Sequence, residues 1–225
     1  MTVNRRVLIV AAHPDDETLG MGGTIKELVE KGYEISTLFL STGVGSRDQE
    51  RQSAEDRKAA SIKALKILGC NNWDYANFPD NRFDTVDLID IAKCIEQKIN
   101  IINPEIVFTN YFADLNIDHR VASEATQIAV RPKPQSSVNE LYFFEVPSST
   151  GWNFGSKIFS PDIYIDISRS IDSKFLALNQ YMVEMDEPPN ARSIKAIQSQ
   201  AILRGSHVGF HYAEAFEIGF IRKKY

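Results

Sequence analysis

Arg6-Val7-Leu8-Ile9-Val10-Ala11-Ala12-His13-Pro14-Asp15-Asp16-Glu17 is the stretch on which the reading of this chain turns. An apolar run of strand length gives way at once to a histidine, a proline and three consecutive acids. A run that is apolar throughout suits a strand covered on both faces of a parallel sheet. Gly20, Gly22 and Gly23 follow closely. In open α/β sheets the ligand crevice lies beyond the carboxyl ends of the strands, where His13-Pro14-Asp15-Asp16 is expected. His13 and Asp16 offer a nitrogen and an oxygen ligand three positions apart, in a turn where both can converge. That pair suits a zinc-like ion, and a catalytic site adds one more protein ligand and leaves a position for water. Asp15 is then a second acid beside the metal, free to take a proton from water. Without a metal, His13 ends a strand and the acids favour the positive end of a helix. A partner elsewhere has to decide.

That partner lies in the second informative loop. Glu105 to Asn110 reads as a strand, followed by Tyr111-Phe112-Ala113-Asp114-Leu115-Asn116-Ile117-Asp118-His119-Arg120 and a helix with Val121, Ala125 and Ile128 on one side. The chain has four histidines, and His119 repeats the topological position of His13, past a buried strand and at a helix start. Two histidines so placed, each with acids attached, favour the three-ligand set His13, Asp16 and His119. Asp118 is placed to orient or polarise a neighbour, as carboxylates behind metal ligands do.

Around these loops the pattern alternates strand and helix. A helix is predicted over 24–31, with Ile25, Leu28 and Val29 on one face, and Gly20-Met21-Gly22-Gly23 before it reads as a close-packed turn. Those glycines do not have the dinucleotide-binding spacing. Residues 33–40 form the next strand, 41–47 a flexible loop, and 50–68 a long amphipathic helix ending at Gly69 with Ile62, Leu65 and Leu68 inward. Arg47, Arg51 and Arg57 lie in or near its start, and one near the crevice could grip a substrate's oxygens. A short strand over 72–78 precedes the turn Pro79-Asp80-Asn81-Arg82. Asp84 and Asp87 bracket a helix start in capping-box style, with Leu88, Ile91, Ile95 and Ile99 on its buried face, and Asn103-Pro104 ends it. Past Arg131-Pro132-Lys133-Pro134 the alternation loosens into an α+β part. Strands are expected over 141–146 and 163–167, helices over 171–182 and 193–204, and a closing strand over 212–221. The aromatic loop from Pro147 to Gly155 is a candidate pocket lining. No repeat or linker interrupts the chain, so one α/β domain over 1–225 is expected.

Composition narrows the partners. Net charge is −5 with no long basic run, which argues against nucleic acid as the main partner. No stretch approaches the roughly 20 apolar residues of a membrane span, and the start lacks the long apolar segment of a signal peptide. Cys70 and Cys94 have no partner motif and are expected to pack as small apolar groups. A cytoplasmic location is the default expectation.

With both loops in hand, the chain resembles the PIG-L/LmbE-like family of zinc-dependent de-N-acetylases. The family signature A-H-P-D-D-E stands intact at Ala12 to Glu17, and its usual H-P-D-H reads here Asn116-Ile117-Asp118-His119. Further likenesses are the helix from Arg57 to Gly69, the Pro79-Asp80 turn, and G-x-x-V-G-x-x-Y-A-E-A-F at Gly205 to Phe216. The resemblance implies a Rossmann-like three-layer sandwich with a mostly parallel central sheet, hydrolysing an N-acetyl group from an amino-sugar derivative. It implies one zinc ion per chain on His13, Asp16 and His119, with Asp15 as general base. Arg57 and Asp80 become substrate contacts, Tyr212 lies near the pocket, and a homo-oligomer (trimer or hexamer) is the expected assembly. The familiar settings are bacillithiol, mycothiol and glycosylphosphatidylinositol synthesis; Asn116-Ile117-Asp118-His119 followed by the loop from Glu145 to Ser149 looks like the branch found in surface-polysaccharide synthesis. One departure stands out. Asn116 replaces a histidine thought to act as acid or oxyanion stabiliser, and an asparagine donates a hydrogen bond without carrying a proton. Two remedies present themselves: Asp15 shuttles the proton both ways with Asn116 as a neutral donor, or His207 or His211 folds over the site. The rival reading, a carbohydrate-binding protein that keeps the metal and has lost its chemistry, rests on Asn116 alone.

Overall fold

The computed structural model describes residues 5–46, 52–152, 154 and 157–223. In chain order they form β1 (Arg6–Ala11), α1 (Asp16–Glu30), β2 (Glu34–Ser41), α2 (Ala54–Leu68), β3 (Asn72–Phe78), α3 (Leu88–Ile102), β4 (Ile106–Asn110), α4 (Ile117–Ala129) and β5 (Glu140–Phe144). The chain continues through β6 (Ile163–Asp166), α5 (Ile171–Leu178), α6 (Ile194–Ser206) and β7 (Ala213–Ile221). Short 3-10 segments lie at Phe83–Thr85 and Asn179–Glu184.

The strands make one sheet in the order β3-β2-β1-β4-β5-β7-β6. The first five run parallel, and β7 is antiparallel to both β5 and β6. Period-two alternation along β1 divides the core. Val7, Ile9 and Ala11 join Leu19, Ile25, Leu65 and Leu68 from α1 and α2, while Leu8 and Val10 join Ile91, Ile95, Ala122 and Ala125 from α3 and α4. Helices therefore cover both faces, which is why β1 is apolar at consecutive positions. The chain leaves β1 towards β2 and β3 on one side and reaches β4 on the other. The loops after β1 and β4 thus part at the switch point, where an α/β sheet opens a crevice. Both informative loops are there.

Several expectations need correction. α1 starts at Asp16 rather than Thr24, so Gly20 to Gly23 lie inside a helix that breaks at Met21 (φ −147°, ψ 23°). The close approach is real: a Cβ on Gly20 would lie 2.5 Å from Phe144 Cδ2, and one on Gly23 2.7 Å from the Ile167 Cβ. The final strand does not close the sheet but inserts between β5 and β6, pairing Phe216 with both Phe144 and Ile163. Asp87 precedes α3 but its side chain caps nothing, so the capping box does not form. α2 is capped by Ser53, which accepts from Asp56 N, and it ends in a left-handed Gly69 (φ 88°) as expected. Arg47 and Arg51 lie outside the described residues. No helix among those described is long and apolar enough to cross a membrane.

Candidate active site

His13 sits just past β1 and His119 in the first turn of α4, with ring centroids 5.4 Å apart. Each imidazole is turned by a carboxylate. Asp118 Oδ2 lies 2.9 Å from His13 Nε2, leaving Nδ1 on the side of Asp16, 3.5 Å from its Oδ2. Asp114 Oδ1 lies 3.3 Å from His119 Nδ1, leaving Nε2 3.2 Å from the same Asp16 Oδ2. Asp118 is itself fixed by the backbone N–H groups of Asn81 (2.7 Å) and Phe83 (3.0 Å). Asp114 accepts from the hydroxyls of Ser149 (3.1 Å) and Thr150 (2.5 Å). The ligand atoms of His13, Asp16 and His119 all lie within 4.8 Å of one another, and all three residues are buried.

Asp16 is shared between the two rings. Its Oδ2 also accepts from His13 N (2.9 Å) and Asn110 Nδ2 (3.1 Å), whereas the buried Oδ1 has no hydrogen-bond partner among the described residues. A buried carboxylate oxygen left without a donor is costly, and a cation supplies what it lacks. Burial alone would lower the pKa of both histidines. Hydrogen bonds to Asp118 and Asp16 overcome it and raise His13 to about 9, and the charges of Asp16 and Asp114 raise His119 to about 10. Burial would raise Asp16, but the two imidazoliums hold it well below the usual carboxylate range. The pocket is built for positive charge, and its donor set fits a divalent ion of the zinc type.

Asp15 occupies a different niche. Its φ is 118°, a conformation that costs a non-glycine residue about 1–3 kcal/mol. Two guanidiniums hold Oδ2: Arg57 Nη2 at 2.9 Å and Arg192 Nη1 at 2.8 Å. Arg57 also donates to the Pro14 carbonyl from Nε (3.0 Å) and Nη2 (2.6 Å), and its Nη1 lies 2.5 Å from Glu184 Oε1. The backbone N–H of Asp15 donates to Glu17 Oε2 at 3.0 Å. Asp15 Oδ1 remains buried with no hydrogen-bond partner among the described residues. The strained residue is over-determined on one oxygen and available on the other.

Other expected site residues divide. Asp80 joins the cluster, with Oδ1 3.3 Å from His13 Nε2. Asn116 is the N-cap of α4: its Oδ1 accepts from Asp118 N at 2.8 Å, and Nδ2 donates to Asn81 Oδ1 at 3.3 Å. Arg57 arrives, but its hydrogen bonds go to the acidic loop and its side chain is 3% exposed. Tyr212 is not brought to the cluster; it packs against Ile167, Ile171 and Ala201 beside the edge strand β6. His207 and His211 do not fold over the site either. Both are exposed, and His207 lies edge-on to Tyr164 with centroids 6.1 Å apart. Sequence reasoning gave no role to Asp114, Asn110, Glu184 or Arg192. Asp114 was in view, two residues before Asn116 in the same loop. Arg192 and Glu184 carry no local signal, since they reach Asp15 and Arg57 from the far end of the chain.

A mostly parallel α/β sheet whose switch point carries two carboxylate-oriented imidazoles, one shared aspartate and a clamped second acid has the layout of a mononuclear metal site. The chain belongs to the PIG-L family, whose GlcNAc-PI de-N-acetylase model matches residues 8–130, the segment that holds both loops. Among similar proteins is a deacetylase of Escherichia coli, YaiS, described as uncharacterized and 34% identical over 155 residues, 66% of this chain and 78% of that protein. Diacetylchitobiose deacetylase of Thermococcus kodakarensis is 25% identical over 227 residues, covering 93% of this chain and 81% of its own. Among solved structures, the conserved protein TT1542 of Thermus thermophilus superposes with a TM-score of 0.78 at 25% identity, covering 97% of this chain and 96% of that one.

Proposed function

We propose that the protein is a metal-dependent hydrolase that removes the N-acetyl group from an N-acetylated amino sugar, releasing acetate and the free amine. The observation that carries this reading is the paired orientation of His13 and His119, each turned by a carboxylate so that its other nitrogen faces Asp16. Family membership and the deacetylase names of similar proteins support the reaction class.

His13 Nδ1, Asp16 and His119 Nε2 would hold the ion, for which zinc suits the donors. When bound, it supplies Lewis-acid activation of water and of the amide carbonyl. The chain's own groups do the rest. Asp15 Oδ1 takes a proton from water as the water oxygen bonds to the acetyl carbon. Arg57 and Arg192 keep Oδ2 engaged, so Oδ1 is the working oxygen. Asn116 has its Oδ1 committed to the helix cap and one Nδ2 hydrogen to Asn81, and its second Nδ2 hydrogen is the donor to the carbonyl oxygen as that oxygen gains charge. Asp15 then passes its proton to the nitrogen as the C–N bond breaks. Asp80, with Oδ1 3.3 Å from His13 Nε2, is the proposed contact for a sugar hydroxyl. The test is amine release from a panel of N-acetylated sugars, with and without a chelator. Release that persists after the metal is stripped contradicts the proposal.

A further inference from the structure

The break in α1 is filled by two charged side chains from elsewhere in the chain. In an unbroken helix the Gly23 N–H would meet the Leu19 carbonyl. Here Gly23 N donates to Glu214 Oε1 at 3.0 Å, and the Leu19 carbonyl accepts from Lys174 Nζ at 2.8 Å. Lys174 Nζ and Glu214 Oε1 are 2.6 Å apart, and Thr24 N donates to Glu214 Oε2 at 2.6 Å. An ion pair is thus inserted into the helical ladder, a recognised cause of a sharp bend. Lys174 comes from α5 and Glu214 from β7, and their side chains are each 3% exposed. Gly22 lets the lysine stem pass, since a Cβ there would lie 3.3 Å from Lys174 Cγ.

A buried ion pair is a poor device for stability alone, because desolvation offsets most of its attraction. Its position suggests another role. The turn before the break carries Asp16 and Glu17, and Leu19 N donates to the Asp15 carbonyl at 2.8 Å. The residue whose carbonyl Lys174 holds is therefore also the one whose N–H holds the Asp15 carbonyl. Beyond the break, Ile25 anchors the second half of α1 in the core. We propose that Lys174 and Glu214 are positioning residues for the site, setting the angle between the anchored half of α1 and the turn that presents Asp15 and Asp16. This rests on the reading of that site as metal-dependent.

The experiment is a zinc titration, in competition with a chromophoric chelator, of wild type, Lys174→Met and Glu214→Gln, each held at a temperature where circular dichroism shows it folded. Ile95→Ala, in α3 on the opposite face of the sheet, controls for lost stability. Zinc affinity is expected to fall about tenfold or more in both pair variants, the scale seen when supports of metal ligands are removed. The control keeps wild-type affinity at a similar melting temperature. Pair variants that melt early yet bind zinc as wild type does overturn the inference. If either fails to fold, Glu214→Asp keeps the charge but is too short to reach both N–H groups, and unchanged zinc affinity there overturns it equally. Wild-type protein that takes up no zinc is a separate failure, of the metal site itself.

Discussion

Asp15 and Asn116 are the residues at which the proposed chemistry is most exposed to test. Asp15→Asn keeps the residue's size and leaves His13, Asp16 and His119 untouched, so zinc content stays near that of wild type. Turnover falls by about 10²–10⁴, the usual contribution of a general base; near-full turnover at unchanged zinc would show that the base is elsewhere. Asn116 has two duties, and one substitution separates them. Asn116→Asp retains an oxygen for the Asp118 N–H, and so the helix cap, but loses the Nδ2 donor. It also gives up the Nδ2 bond to Asn81, so its melting temperature is expected to fall slightly while kcat drops by about 10²–10³. A variant with wild-type kcat removes Asn116 from the reaction. The convergence of His13, Asp16 and His119, with Asp15 beside them, was legible in the sequence because these residues crowd into two short loops with ligand spacing. Asp114 was harder to assign, because a carboxylate behind a histidine looks like any other loop acid until the side chains converge. Arg192 was beyond reach: it lies 177 positions from Asp15 in the chain, and nothing local marks it as a partner of that carboxylate.

At the scale of the element, α1 explains both a success and an error of sequence reasoning. Glycine is a poor helix former, so Gly20-Met21-Gly22-Gly23 read as a turn. Tertiary contact reversed that preference, because a glycine with no Cβ lets a neighbouring element lie directly against the helix. The prediction concerns Gly20, whose added Cβ would meet the Phe144 ring and, at 2.8 Å, the Glu145 carbonyl. Gly20→Ala should cost about 1–3 kcal/mol through overpacking, which calorimetry would register as a fall in melting temperature of roughly 2–4 °C per kcal/mol. A variant as stable as wild type would mean the helix shifts freely against β5. β1, β2 and β4 of the parallel half were legible from their apolar residues, whereas the insertion of β7 between β5 and β6 was not. Nothing local distinguishes a strand that enters a sheet from one that borders it.

Considered whole, the molecule gathers its buried acids and imidazoles at one end of one sheet, and its response to pH follows. After metal removal, His13 and His119 titrate near 9 and 10, against about 6.5 in the unfolded chain. Both are raised on folding, so the stability they contribute is fully present below about pH 6.5 and is lost as pH rises through 9 and 10. Metal-free protein should therefore melt at progressively lower temperature from pH 7 to 10, by calorimetry, and zinc-loaded protein should be less sensitive. Protons and zinc compete for the same nitrogens, so zinc affinity rises with pH and uptake near neutrality releases protons. A flat response of the metal-free protein would mean that the imidazoles are neutral from the start. The central claim is that this cluster is a metal site that de-N-acetylates a sugar. The most direct measurement is zinc stoichiometry paired with amine release from N-acetylated sugars, for wild type and Asn116→His. One zinc per chain is expected, with release by the wild type that disappears on chelation and returns with zinc. One zinc per chain with release by Asn116→His alone would contradict it, and would identify a sugar-binding protein whose chemistry was lost at Asn116.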